Sequence, residues 1–215
     1  GDVDNLVAIF RNNIGTSHPA RYMGLSRAMD LFFSYYLPYL MNKESIDKQT
    51  KNDLPQSFTN TYTVFAGGDD FFLIGPQREQ MALLQTMRKR FEAYSGNNPA
   101  LTFSAGLFMT SPYPNVYTLA KSAEKHLEEA KTFERSNIVQ SVSAKNIGLG
   151  SIKSKDAVSV YGVVMSWADY SAVIEFQKEL GALCAEYELS HGFLFKILDF
   201  VHASGEAGDG TISVN

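Results

Sequence analysis

The residues best suited to catalysis or ligand binding are two glycines followed by two aspartates, Gly67-Gly68-Asp69-Asp70. Glycine can adopt a positive φ, and it lets a phosphate approach the backbone because no Cβ stands in the way. Neighbouring strand residues point to opposite faces, so the two carboxylates need not do the same work. As a bare four-residue pattern, the segment is also typical of an ordinary hairpin turn, because Gly and Asp are standard turn residues.

A second acidic pair, Asp2 and Asp4, ends a predicted first strand. In a split βαβ sheet the first strand lies beside the third, so the hairpin turn comes near the end of the first strand. We therefore expect Asp2 to lie beside Asp69 and Asp70. Three converging carboxylates repel one another unless a cation lies between them. With one cysteine and no convincing histidine cluster, these oxygen ligands favour Mg²⁺ or Mn²⁺ over zinc.

The elements that must position these carboxylates follow from hydrophobic periodicity. Strands are predicted at the start of residues 3–10 and over 62–66, 71–74, 101–108 and 158–162, with helices over 17–40, 79–94 and 116–133. The first six elements have the βαββαβ order of a ferredoxin-like fold. The fold class is therefore predicted as α+β, an antiparallel palm sheet with helices on one face, followed by an all-α segment.

The pattern changes after Ser166, a predicted helix N-cap, and helices are predicted over 168–187 and 190–202. We place a palm domain at residues 1–165, the start of a helical domain at 166–204 and a linker or frayed tail at 205–215. Residues 42–60 are polar and contain Pro55, so they are interpreted as a surface loop.

Composition bounds the class of protein. The chain has 215 residues, of which 45% are hydrophobic and 20% charged, enough to build a packed core. No apolar run is long enough to span a membrane, and a single cysteine excludes an internal disulfide. The net charge of -4 means that the chain lacks the overall excess of positive charge typical of nucleic-acid-binding proteins. These features indicate a cytoplasmic protein.

Four blocks of sequence occur in an order that resembles a known family. They are Gly1-Asp2-Val3-Asp4-Asn5-Leu6, the run Phe65-Ala66-Gly67-Gly68-Asp69-Asp70-Phe71-Phe72-Leu73-Ile74-Gly75-Pro76, Phe103-Ser104-Ala105-Gly106, and a helical block from Ala120 to Lys131. Together they are similar to the second palm domain of the large subunit of type III-A CRISPR effector complexes, over residues 1–162. Residues 190–196 resemble the start of the C-terminal helical domain of the same subunit.

The resemblance implies an enzyme, a nucleotidyltransferase that makes cyclic oligoadenylate second messengers from ATP with Mg²⁺ or Mn²⁺. Its partners would be the other subunits of a prokaryotic cytoplasmic complex, a guide RNA and a target RNA that switches synthesis on, with no membrane involved. Asp2, Asp69 and Asp70 would be catalytic and would hold metal together with the Val3 carbonyl.

The resemblance also implies nucleotide contacts. The Gly67-Gly68 backbone would lie against phosphate or sugar, and the amides from Asn5 and Leu6 to Val7 would reach the triphosphate. Lys131 would offer a cation to phosphate, although a solvated lysine at a helix C-terminus is the alternative. Ser104 would contact the nucleotide, with a plain strand serine as an equal alternative.

The sequence departs from the family at Val7, where glycine is usual. The family subunit also carries a histidine-aspartate nuclease domain, a zinc module and a first palm. In the family, a second ATP lies against the first palm. This sequence contains none of the three modules. We therefore interpret the chain as a piece of a larger subunit, with Gly1 at the end of the first palm strand, and expect weak turnover in isolation. The alternatives are a catalytically idle scaffold palm that binds nucleotide and a diguanylate-cyclase-like domain; Gly-Gly-Asp-Asp-Phe disfavours the latter.

Overall fold

A single six-stranded sheet organises the computed structural model, which describes residues 1–9, 19–43, 58–110, 115–133, 155–190, 192–197 and 199. Its strands are β1 (Asp2–Val3), β2 (Tyr62–Gly67), β3 (Asp70–Ile74), β4 (Phe103–Leu107), β5 (Ala157–Val160) and β6 (Val163–Ser166). The order across the sheet is β2-β3-β1-β4-β5-β6. All neighbours are antiparallel except β4 and β5, which run parallel.

The helices alternate with these strands along the chain. They are α1 (Leu6–Ile9), α2 (Pro19–Leu31), a π-helix (Phe32–Tyr36), α3 (Leu37–Lys43), α4 (Gln77–Tyr94), α5 (Val116–Lys131) and α6 (Trp167–Glu186), with a further helical segment at residues 192–197. The chain order with the β2-β3-β1-β4 arrangement confirms the predicted ferredoxin-like βαββαβ unit.

Aromatic packing places the helices of this unit on one face of the sheet. The ring of Phe33 in the π-helix stacks on Phe71 of β3, and Phe91 of α4 meets Phe103 of β4 edge to face. Gly106 of β4 has the opposite parity to Phe103, and a Cβ there would meet the backbone of α5. The βαββαβ helices thus share one face as predicted, while α5, which follows that unit, covers the other.

The chain between residues 158 and 166 differs from the prediction of one last strand over 158–162. The strand ends at Val160, and Tyr161 (φ 54°) and Gly162 (φ 88°) form a turn into β6. A non-glycine residue in this left-handed conformation is uncommon, so Gly162 is the one residue of the turn whose type indicates it. The N-cap at Ser166 is confirmed, because its hydroxyl accepts a hydrogen bond from the Asp169 amide (3.1 Å).

The chain divides into two compact units, Gly1–Ile174 and Glu175–Asn215. Within the first, the Trp167 indole donates to the Phe103 carbonyl (3.1 Å). The predicted division into 1–165, 166–204 and 205–215 stays a prediction. Residues 42 and 43 of the predicted surface loop belong to α3, whereas residues 44–57, 134–154 and the predicted tail lie outside the described residues. No helix in the described part of the chain is both long and apolar enough to cross a membrane.

One buried carboxylate ties three strands together just after β1. Asp4 has an exposed fraction of zero and accepts hydrogen bonds from the hydroxyls of Thr102 (2.9 Å) and Ser104 (2.8 Å) and from the Asp156 amide (3.0 Å). Burial raises the pKa of Asp4, while these hydrogen bonds act in the opposite direction. Asp4 therefore joins the end of β1 to β4 and to the residue preceding β5.

We expect Asp4→Ala to lower the free energy of unfolding by about 2–4 kcal/mol, because buried donors lose their acceptor. Asp4→Asn keeps one acceptor oxygen and should lose less. Urea denaturation followed by circular dichroism measures both. Ser104→Ala should add little in the Asp4→Ala background, since contacting residues are not additive; fully additive losses would show that the network does not act as a unit.

A second prediction concerns the close packing of α5 on β4 and its effect on the free energy of unfolding. A Cβ at Gly106 would lie 2.7 Å from the Ala123 carbonyl oxygen, and backbone atoms cannot easily move away. Gly106→Ala should therefore lower the free energy of unfolding by about 1–3 kcal/mol. Gly24→Ala is the matched control, since nothing lies within 4 Å of that Cβ. It should be neutral or stabilising by up to about 1 kcal/mol, and equal effects of the two would contradict the packing argument.

Candidate active site

The β2–β3 hairpin presents the Gly-Gly-Asp-Asp motif on a two-residue turn. Gly67 ends β2 opposite Asp70, which begins β3, and Gly68 and Asp69 form the turn between them. Gly68 has φ 65°, and a Cβ added there would have nothing within 4 Å, so its conformation alone accounts for glycine here. The hairpin predicted from the two apolar runs is confirmed.

The register of β1 brings Asp2 to this hairpin. Asp2 pairs with Asp70 on one side and with Ser104 on the other, and the Val3 amide donates to the Asp69 carbonyl (3.0 Å). One carboxylate oxygen from each of Asp2, Asp69 and Asp70 lies within 4.8 Å of the others. The predicted convergence of three carboxylates at one end of the sheet is therefore present.

The electrostatics of the cluster are unfavourable to three full charges. Partial burial, together with a hydrogen bond from Asp70 to Asp2 and the negative charge of Asp2, raises the pKa of Asp70 from 3.8 to about 6. The charge of Asp69 acts in the same direction. Asp70 thus binds a proton more readily than an isolated aspartate, and this proton relieves part of the repulsion within the cluster.

Lys131, the last residue of α5, brings a positive charge into direct contact with this cluster. Its Nζ lies 2.6 Å from Asp2 Oδ2 and 3.4 Å from Glu128 Oε1. Although burial opposes the shift, the hydrogen bond to Asp2 and the attraction of both carboxylates raise the pKa of Lys131. The structure therefore brings Lys131 into the site, on Asp2, and does not leave it as a solvated helix-terminal lysine.

The remaining predicted residues fall into two groups. Asn5, with φ 55°, and Leu6, the first residue of α1, come after Asp4 in the sequence, and both are partly exposed. The Val7 side chain lies outside the described residues. Ser104 is fully buried and its hydroxyl donates a hydrogen bond to Asp4, so it belongs to the hydrogen-bond network of that carboxylate. Its contact with a nucleotide remains a prediction, beside the alternative of a plain strand serine.

The structure separates the acidic pair Asp2 and Asp4, because only Asp2 reaches the hairpin. It also adds one residue that the sequence does not indicate, Asp30 of α2, whose Oδ1 accepts a hydrogen bond from the Gly68 amide (2.9 Å). No pattern around Asp30 announces this, because the contact joins residues 38 positions apart.

A cavity of 410 Å³ lies between β3 and β4, and its lining includes Gly1 and Phe71, the neighbours of Asp2 and Asp70, but no carboxylate. Side chains of α4, including Leu84 and Met87, line it together with Leu119 and Ala123 of α5. None of its lining residues is Asp, Glu, Lys or Arg. An apolar cavity does not suit a triphosphate, so the cluster at the sheet end is the better candidate for nucleotide chemistry.

Comparison with known proteins finds curated relatives in CRISPR systems. The chain is 29% identical over 167 residues to a "CRISPR system single-strand-specific deoxyribonuclease Cas10/Csm1 (subtype III-A)" of Methanocaldococcus jannaschii, covering 77% of this chain and 20% of that protein. A protein of the same description from Thermococcus onnurineus is 30% identical over 142 residues, covering 64% and 18%. The chain therefore spans about a fifth of the length of these relatives.

Solved structures share the fold. A Csm1-Csm4 cassette in complex with one ATP matches with a TM-score of 0.56 and 24% identity, over 80% of this chain and 22% of that one. A cassette in complex with cA3 matches with a TM-score of 0.57, the same identity and the same coverage.

The model of the family described as "Cas10/Cmr2, second palm domain" matches residues 1–139, which hold the βαββαβ unit, the hairpin carboxylates and α5. The chain belongs to the Cas10/Cmr2 second palm domain family.

Proposed function

We propose that this chain is a metal-dependent, ATP-binding nucleotidyltransferase palm that synthesises cyclic oligoadenylates within a type III-A CRISPR complex. The observation that carries the proposal is the convergence of Asp2, Asp69 and Asp70 within 4.8 Å at the end of the sheet, with Lys131 on Asp2. A purely structural site has no need of three mutually repelling carboxylates.

The donor atoms of the cluster are suited to binding a divalent cation. Its donors are carboxylate oxygens, which Mg²⁺ and Mn²⁺ prefer, and a bound cation would offset both the burial and the mutual repulsion that raise the pKa of Asp70. Asp2, Asp69 and Asp70 would hold the cation, with the Val3 carbonyl as the further predicted ligand. When bound, the cation supplies charge stabilisation to the attacking and leaving oxygens of nucleotidyl transfer.

The proposed reaction joins two ATP molecules. The 3′-oxygen of one forms a bond to the α-phosphorus of another, the bond from that phosphorus to the pyrophosphate oxygen breaks, and the hydroxyl proton is released. The chain's own part is positioning and electrostatics. The backbone of Gly67 and Gly68 would face phosphate or sugar, and the amides of Asn5 and Leu6 would reach the triphosphate. Lys131 would exchange its ion pair with Asp2 for phosphate oxygens.

Two structural neighbours support a nucleotide site. A Csm1-Csm4 cassette in complex with pppApA shares 26% identity and a TM-score of 0.51, and one in complex with AMPPNP shares 25% and 0.55. We extend adenine nucleotide binding from these proteins to this chain. We likewise propose that it works with a Csm4-type subunit, a guide RNA and a target RNA, since a neighbour is described as a subcomplex of the type III-A interference complex.

The direct test incubates the chain, alone and assembled in its complex with target RNA, with ATP or GTP and Mn²⁺, and resolves the products by mass spectrometry. We expect cyclic oligoadenylates from the complex, with a loss of at least about 100-fold for Asp70→Ala, the order of effect of removing one transition-state charge interaction. Glu124→Ala is the matched control, because Glu124 is an exposed carboxylate of α5.

Other products would redirect the assignment. Cyclic di-GMP from the isolated chain would indicate a diguanylate-cyclase-like domain instead. Absence of product from wild type and Asp70→Ala alike, in every assembly, would leave a palm that serves as a scaffold.

The raised pKa of Asp70 predicts the behaviour of the protein without nucleotide. Because the folded pKa exceeds that of the unfolded chain, the Asp70 carboxylate lowers stability as pH rises from 3.8 through about 6. Asp70→Asn should therefore melt about 2–4 °C higher than wild type near pH 7.5, allowing for solvent screening of a partly exposed group.

Differential scanning calorimetry measures this effect, and the gain should shrink below about pH 4, where Asp70 is protonated in both states. Added Mn²⁺ should raise the melting temperature of wild type more than that of Asp70→Asn, because a ligand of the native state stabilises it. A melting temperature for Asp70→Asn that is lower than wild type at neutral pH would contradict the repulsion argument.

A further inference from the structure

The turn of the Gly-Gly-Asp-Asp hairpin forms a hydrogen bond with a carboxylate of α2, which lies outside the hairpin. Asp30 Oδ1 accepts hydrogen bonds from the Gly68 amide (2.9 Å) and from the Ser34 hydroxyl (2.8 Å). The same hydroxyl lies 3.4 Å from the Ala66 carbonyl oxygen. The Asp30–Ser34 pair thus contacts the backbone on both sides of Gly67.

This contact explains the first glycine of the motif. A Cβ on Gly67 would lie 3.1 Å from Ser34 Oγ and 3.5 Å from Asp30 Oδ1, closer than most side chains tolerate at the hydroxyl. Gly68 is explained separately by its positive φ. The two glycines therefore serve two local requirements, a close approach of the α2 side chains and a left-handed turn residue.

The helix that carries the pair is itself irregular at this point. Ser34 lies in the π-helix Phe32–Tyr36, which directly follows α2. Single π-turns inside helices occur frequently at functional sites. Residues four apart along a helix are neighbours on its surface, which is how Ser34 orients the Asp30 carboxylate.

We propose that Asp30, held by Ser34, is a positioning residue of the active site. It fixes the Gly67-Gly68 turn and so sets the distance of Asp69 and Asp70 from Asp2. The turn is then held on two sides, by Asp30 at the Gly68 amide and by the Val3 amide at the Asp69 carbonyl. This inference rests on the proposed function, because it concerns the same three carboxylates.

Charge and hydrogen bonding must be separated in the test, since Asp30 also brings a negative charge towards the hairpin. Asp30→Asn removes the charge but keeps an oxygen that accepts from the Gly68 amide. Asp30→Ala removes both, and Ser34→Ala removes only the group that orients the carboxylate. Glu124→Ala controls for the loss of an exposed carboxylate elsewhere.

The experiment measures two quantities on the 215-residue chain and each variant. Hydrogen exchange of the Gly68 amide by NMR reports the hydrogen bond, and electron paramagnetic resonance of free Mn²⁺ reports the affinity of the carboxylate cluster. We expect Asp30→Ala to abolish the protection of the Gly68 amide and to weaken Mn²⁺ binding about three- to tenfold. Asp30→Asn should stay within about twofold of wild type, and Ser34→Ala should lie between the two.

A merely structural role is distinguishable by these readouts. Loss of Gly68 protection with unchanged Mn²⁺ affinity would overturn the positioning role, as would equal losses for Asp30→Asn and Asp30→Ala. Unchanged Gly68 protection in Asp30→Ala would overturn the hydrogen bond itself. Absence of Mn²⁺ binding in wild type, with Gly68 protection behaving as expected, would overturn the proposed function and the positioning role with it, while leaving the contact between α2 and the turn intact.

Discussion

The position of β1 between β3 and β4 is the constraint on which the candidate active site depends. The two residues of this strand form backbone pairs on both sides, so Asp2 is held opposite Asp70 and opposite Ser104 at once. Backbone pairing therefore forces carboxylates together that would otherwise separate in water. Burial, together with this repulsion, raises the pKa of Asp70, and the ion pair of Lys131 with Asp2 partly offsets the repulsion.

Both layers around the sheet contribute to this arrangement. On one face, the aromatic rings of Phe33, Phe71 and Phe103 pack the strands against the helices of the βαββαβ unit. On the other face, Gly106 lets α5 come close enough for Lys131, at its end, to reach Asp2. The charged cluster thus lies at the edge of a dense apolar core. Asp2, Asp70 and Lys131 are held by strands and a helix, and Asp69 by the short turn that joins β2 to β3.

The elements that could be predicted are those whose pattern repeats along the chain. The spacing of Leu119, Ala123 and Leu127 is sufficient to predict α5, and the two apolar runs around Gly67-Gly68 predict the hairpin. The turn at Tyr161-Gly162 was missed because tyrosine rarely adopts a positive φ, although Gly162 between two apolar runs is a hairpin signal. The π-helix also escaped prediction, because the apolar residues Met29, Phe32, Tyr36 and Leu40 recur three and four positions apart, as they do in an ordinary α-helix.

Local periodicity and turn chemistry were enough to predict the type of fold, the hairpin and the acidic residues. Which acidic groups act together became clear from the packing of strands and helices. The tertiary structure separated Asp2, which joins the hairpin, from Asp4, which is buried among hydroxyls, although the two are neighbours in sequence. It also brought Asp30 and Lys131 to the site from distant helices. These contacts depend on strand register and helix packing, and neither can be inferred from the sequence immediately around Asp30 or Lys131.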